Sequence, residues 1–141
     1  MIRIGIDPGT KTGVGIYDLE LKKLVLVETM RAHQLHILLH GSYKVWGKLE
    51  LVVFEDARMA TYRRKLEYHK AQGAGSIKRD CTIIEEICVS NNLPYKKTRP
   101  RKESNQMLSG PKGSEFFNKN YGWEKRTSHH ARIGAYLAMY G

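Results

Sequence analysis

An α/β fold built on a mixed five-stranded sheet is predicted from three observations. Residues 2–7, 13–18 and 24–29 are short β-rich runs separated by the turn signals "PGTKTG" and "ELKK", the pattern of an antiparallel meander. The run "LELVVFE" at 49–55 is apolar without alternation, as in a strand buried on both faces near the middle of a sheet. Between and beyond these runs, apolar residues recur at helical spacing, which makes the second half of the sheet parallel, with helical crossovers.

Each element follows in order. From Met30 to about Trp46, Leu35, Leu38, Leu39 and Val45 fall near helical spacing, interrupted at Gly41-Ser42. Ile77, Cys81, Ile84, Ile87 and Cys88 form one stripe of a helix over 77–89, which Asn91 or Asn92 ends in a left-handed cap before Pro94. "PYKKTRP" is a short strand, and "PRKESNQMLSGPK" at 100–112 has enough Pro, Ser and Gly to be a mobile connection. "SEFFNKNYGW" reads as a helix capped by Ser114, and "TSHHARIGAYLAMY" as a closing helix capped by Thr127 or Ser128. The length of 141 residues fits one domain over 1–141.

Composition narrows the class of function. The chain carries 24 Lys and Arg against 14 Asp and Glu, a net charge of +10, so a polyanion is the expected partner. The placement of charge points the same way: residues 57–80 hold seven Lys/Arg against two acids, with Tyr62, Tyr68 and His69 interleaved. "KKTRPRK" at 96–102 is a second patch without an acid. Solvated helix faces mix signs, and these do not. There is no run long enough to span a membrane and no basic-then-apolar leader, so a cytoplasmic protein is expected. Cys81 and Cys88, two turns apart on one helix face, read as small buried hydrophobes.

In this basic chain, Asp7 ends the first apolar run and Glu55 ends the fourth. If those strands are neighbours, the two carboxylates emerge side by side and repel unless a cation lies between them. A hard divalent ion such as Mg²⁺ suits such oxygen ligands. Gly9 then allows close backbone approach, and Thr10 and Lys11 can contact a phosphate oxygen. The alternative for Asp7 is a plain turn acceptor before Pro-Gly.

The order of elements, together with "IGIDPGTKTGVGI", "LVVFED", "AQGAGSIKRDCTIIEE" and "NYGWEKRTSHHARIGAYLA", resembles the RNase H-like nuclease superfamily. Within it, the chain looks like the RuvC-type Holliday-junction resolvases, especially the small phage and prophage versions. The resemblance spans nearly the whole chain and implies an RNase H-like sheet, β1-β2-β3 antiparallel with β4 and β5 parallel, flanked by helices. It also implies an endonuclease for branched DNA, with two-metal phosphodiester hydrolysis using Mg²⁺ or Mn²⁺ and no nucleotide cofactor. A homodimer is implied, for which the stripe of the central helix is the expected face, and a bacterial or phage-infected cytoplasm as the setting. Asp7 and Glu55 match the family's first two acids.

On the closing helix Ile133 stands where the resemblance would place an acid. His130, one turn earlier, is the candidate third member of the catalytic and metal-binding set, with His129 and Asp56 as alternatives. The expected DNA contacts are Thr10, Lys11, Arg58, Arg63, Arg64, Lys65, Lys70, Lys78, Lys96, Lys97, Arg99, Arg101, Lys102 and Lys112. Because of Ile133, the other reading is a catalytically silent DNA-binding protein on the same fold.

Overall fold

The computed structural model describes residues 1–60 and 68–141, the side chains of 68–74 excepted. Five strands form one sheet in the order β3-β2-β1-β4-β5: β1 Ile2–Asp7, β2 Thr12–Asp18, β3 Lys23–Met30, β4 Leu49–Glu55 and β5 Tyr95–Thr98. The first three are antiparallel, and β4 and β5 run parallel to β1. The helices are α1 Ala32–Leu39, α2 Tyr68–Ser90, α3 Lys102–Met107, α4 Gly110–Tyr121 and α5 His129–Tyr140.

Strand alternation sorts the side chains into two cores. Ile2, Ile4 and Ile6 of β1 and Val52 and Phe54 of β4 join α1 and α2 on one face. Leu51 and Val53 of β4 pack with α4 and α5 on the other. Asp7 pairs with Gly13 and Gly5 with Gly15, all on the α5 face. There the sheet has almost no side chains. A methyl group on Gly13 would lie 1.8 Å from the His130 carbonyl oxygen, and one on Gly15 would lie 2.3 Å from the Ala135 Cα. The α5 residues above this floor are themselves small, Ala131, Gly134, Ala135 and Ala138, so backbone rests on backbone.

The sequence expectations hold for the five strands and their order, and depart from the structure in the helices. The helix expected over 30–46 is shorter, because β3 continues to Met30 and Gly41, at φ 137°, ends α1. Only a 3₁₀ turn, Ser42–Val45, follows. Residues 100–112, expected to be mobile, hold α3 and the start of α4. The N-cap of α4 is Ser109 rather than Ser114, with Pro111 in the first turn, where its missing N–H is no loss. Ser128 caps α5 by accepting the Ala131 N–H at 3.1 Å, and Asn92, at φ 54°, follows α2 in the left-handed conformation.

The stripe expected to be a dimer face is buried within the chain. Cys81, Ile84, Ile87 and Cys88 all lie against the sheet, which removes them from any surface. The two thiols are free, and burial pushes both up to about 11. No helix among the described residues is long and apolar enough to cross a membrane.

The glycine floor yields a stability prediction. Gly13→Ala should lower unfolding free energy by about 3 kcal/mol or more, since neither backbone can give way locally. Gly75→Ala, on α2 where a methyl group meets nothing within 4 Å, should raise it by about 0.5–1 kcal/mol. Urea denaturation of both variants measures the contrast.

Candidate metal and nucleic-acid site

β1 and β4 are parallel neighbours, and the register Ile6↔Phe54 brings Asp7 beside Glu55 at the next step. Both acids sit at the strand ends on the face covered by α5. The first turn of α5 lies over Gly13, and this carries His130 to Asp7: its Nδ1 is 2.7 Å from Asp7 Oδ2. One pocket is lined by Asp7, Glu55, His129, His130, Asn105 and Ile133, among others. The two acids and the histidine picked from the sequence therefore meet in space.

The electrostatics carry the mark of two acids in one place. Burial, and then the Asp7 charge, push the Glu55 carboxyl up to about 7, against an Asn105 side-chain hydrogen bond and the nearby His130. His130 is raised above the usual imidazole value, first by its hydrogen bond to Asp7. Its side chain is half exposed, and Nε2 has no hydrogen-bond partner among the described residues.

Asn105 is the residue that sequence reasoning missed. It lies on α3, its side chain favours the Glu55 charge, and its Oδ1 is buried without a partner among the described residues. Its carbonyl oxygen is 2.8 Å from His129 Nε2, which ties α3 to the start of α5. Local composition does not mark it, because the amide acquires its place only once 102–107 becomes helical.

Two alternatives for the third site member have other employment. His129 lines the pocket but is held by the Asn105 backbone. Asp56 is 1% exposed and points away from Glu55, taking Arg58 through both oxygens, at 2.8 Å from Nε to Oδ1 and 2.7 Å from Nη2 to Oδ2. Arg58 also binds Glu85 and Thr82, and Lys97 reaches Glu85 at 3.2 Å. Arg58 and Lys97, both expected DNA contacts, take part in this network, which clamps the end of β4 to α2 and β5. Glu85 is the hub, taking Arg58, Lys97 and the Tyr95 hydroxyl.

Among the other expected DNA contacts, Thr10 and Lys11 are exposed in the turn after Asp7, and Lys96, Arg99, Arg101 and Lys102 are exposed along β5 and into α3. Lys78 is half-buried on α2, and Lys112 lines a separate groove on α4. Arg63, Arg64 and Lys65 lie outside the described residues, as do Tyr62 and the side chains of Lys70, Tyr68 and His69. Arg132 braces the site from behind. Buried at 4% exposure, it donates from Nε to the Leu108 carbonyl and from Nη1 to the Thr127 carbonyl, each at 2.8 Å.

In chemical type the donors fit a divalent cation. Two carboxylates repel each other across the site, an amide oxygen lies buried without a partner, and an imidazole stands beside them. In their present arrangement, with His130 turned onto Asp7, no three His, Cys, Asp or Glu among the described residues form a metal-holding group.

This is the RuvC-like form of the RNase H-like fold. A solved structure of T. thermophilus RuvC in complex with a Holliday junction substrate aligns with a TM-score of 0.62 at 17% identity, covering 99% of this chain and 91% of that chain. No protein-family model matches the chain, and no curated protein matches it.

The raised Glu55 gives a pH prediction. Between pH 4.5 and about 7 the folded chain keeps a proton on Glu55 that the unfolded chain has lost, so stability falls as pH rises through that window. Glu55→Gln should therefore stabilise the metal-free protein by about 1–3 kcal/mol at pH 8 and have little effect at pH 4.5. Urea denaturation at the two pH values measures the difference.

Proposed function

We propose that the chain is a divalent-metal-dependent endonuclease for branched DNA. The observation that carries this reading is the meeting of Asp7, Glu55 and His130 at one end of the sheet, on a fold shared with a junction-bound RuvC and in a chain of +10 charge. Asp7 and Glu55 would hold the ion, with Asn105 Oδ1 as a further oxygen donor. Once bound, the ion would supply Lewis-acid activation of the phosphodiester and of water.

The chain's own groups divide the remaining work. The exposed Lys11, Lys96, Arg99, Arg101 and Lys102 neutralise backbone phosphates and fix the strand's register, without reading sequence. Asp7 holds His130 through Nδ1, which leaves Nε2 to give a proton to the leaving 3′ oxygen. The Glu55 carboxyl, at about 7 in the metal-free chain, would give up its proton to hold the ion. Resolution of a four-way junction in recombination, repair or phage DNA processing needs two symmetric cuts, and hence a two-fold dimer. Such a dimer would use a surface other than the buried stripe of α2.

The second reading is a cleavage-silent DNA-binding protein on the same fold. It is favoured by Ile133, an apolar residue in the wall of the acid pocket, and by the lack of a three-ligand group among the described residues.

Cleavage of a mobile four-way junction, a flap and a linear duplex, side by side in Mg²⁺ and Mn²⁺, separates the two readings. The nuclease reading expects cutting of branched substrates in the presence of a divalent ion, with little cutting of linear duplex. Asp7→Asn should lose at least about a hundredfold in rate while binding junctions as well as the parent or better, because a carboxylate that repels phosphate is gone. Wild-type cutting by Asp7→Asn would overturn the site, and binding without cutting in either metal would establish the silent reading.

A further inference from the structure

A second cavity, of about 230 Å³, lies between β5, α3 and the C-terminal half of α5. It shares Glu55, Asn105 and Ile133 with the acid pocket, so the two are separated by a single wall. Its α5 side presents Tyr136 and Tyr140, with ring centroids 4.9 Å apart. Tyr140 is 60% exposed, and its ring lies 6.1 Å from that of Tyr121, centroid to centroid. The opposite rim is cationic and exposed: Lys96, which pairs with Val53 and so faces α5, followed by Arg99 and Arg101.

These features together select a ligand class. An inorganic anion would use the cations and leave the exposed Tyr140 and the half-buried Tyr136 beside it unexplained, and an apolar ligand would use the rings and leave the cations unexplained. A nucleotide uses both, its base against aromatic faces and its phosphate among the cations. The volume is below the roughly 300–1,000 Å³ of sites that enclose drug-sized ligands, which suits one base rather than a dinucleotide. The geometry points to this cavity as a subsite for one unstacked nucleotide of the strand whose phosphate lies at Asp7 and Glu55. That assignment of the strand rests on the nuclease reading; the base-binding character rests on the cavity alone. Unstacking is least costly where pairing is already interrupted, as at a branch point. The subsite would therefore favour branched over continuous duplex DNA and tolerate any base, since every base has a stacking face.

The test uses the intact chain and does not depend on cleavage. A junction carrying 2-aminopurine at successive positions near the branch is bound in EDTA, and fluorescence reports stacking. One position should respond. Tyr140→Ala should abolish the response and weaken binding about tenfold. An abasic residue at that position should weaken the parent by the same factor and Tyr140→Ala no further. Arg101→Glu, at an exposed site, should also suppress the response, which keeps the test decisive if Tyr140→Ala folds poorly. A responding position lost in these variants supports the subsite even if the chain cuts nothing, in which case only the nuclease reading falls. No responding position, or a response that survives both substitutions, overturns the subsite even if the chain cuts junctions.

Discussion

Helix α5 rests on β1 and β2 so closely that a methyl group on Gly5, Gly13 or Gly15 would overlap its backbone, and the rest of the molecule is arranged around that contact. Because the sheet has no side chains there, the helix comes down onto it, and its first turn lies level with the end of β1. His130 reaches Asp7 for this reason, although the two are 123 residues apart. The same approach sets the far wall of the site, since Arg132 on the next turn region of α5 holds the Leu108 carbonyl and thereby the α3–α4 corner. With that corner fixed, Asn105 stands over Glu55.

Charge is distributed to the same end. Of the acids near the end of β4, Asp56 and Glu85 are paired with Arg58, and Lys97 completes the network. Those pairs hold Asp56 and Glu85 below their ordinary values, first of all through the Arg58 hydrogen bonds that oppose burial. At Glu55 the Asn105 amide and the neighbouring His130 favour the charge, and burial beside Asp7 outweighs them. The two faces of the sheet thus treat their acids oppositely: one face neutralises them with arginine and lysine, and the other leaves them in mutual repulsion that a cation would relieve.

Much of this was legible in the sequence because strands betray themselves locally. Asp7 and Glu55 each close an unbroken apolar run, and parallel neighbours with matching ends must present their last residues together. Thr127 and Ser128, either of which could cap a helix, placed the start of α5 to within a residue. What was not legible depends on contacts between distant segments. Arg58 looked like one more cation in a basic stretch, and only the meeting of β4, α2 and β5 turns it into a clamp. Asn105 lies in a stretch whose Pro, Ser and Gly read as loop, where Pro111 in fact starts a helix. The apolar stripe of α2 has the same periodicity whether it covers a sheet or a second subunit, and periodicity cannot tell these apart.

The central claim is that Asp7 and Glu55 share a site whose repulsion a divalent cation relieves, and the most direct test is proton release on metal binding. Mn²⁺ is titrated calorimetrically into the intact chain at pH 6.5 in buffers of different ionisation enthalpy. With Glu55 at about 7, most of a proton should leave for each ion bound, because the ligand must ionise. The same titration of Glu55→Gln should show weaker binding and lose that release. Binding with no proton release, or binding and release undiminished in Glu55→Gln, would contradict the account.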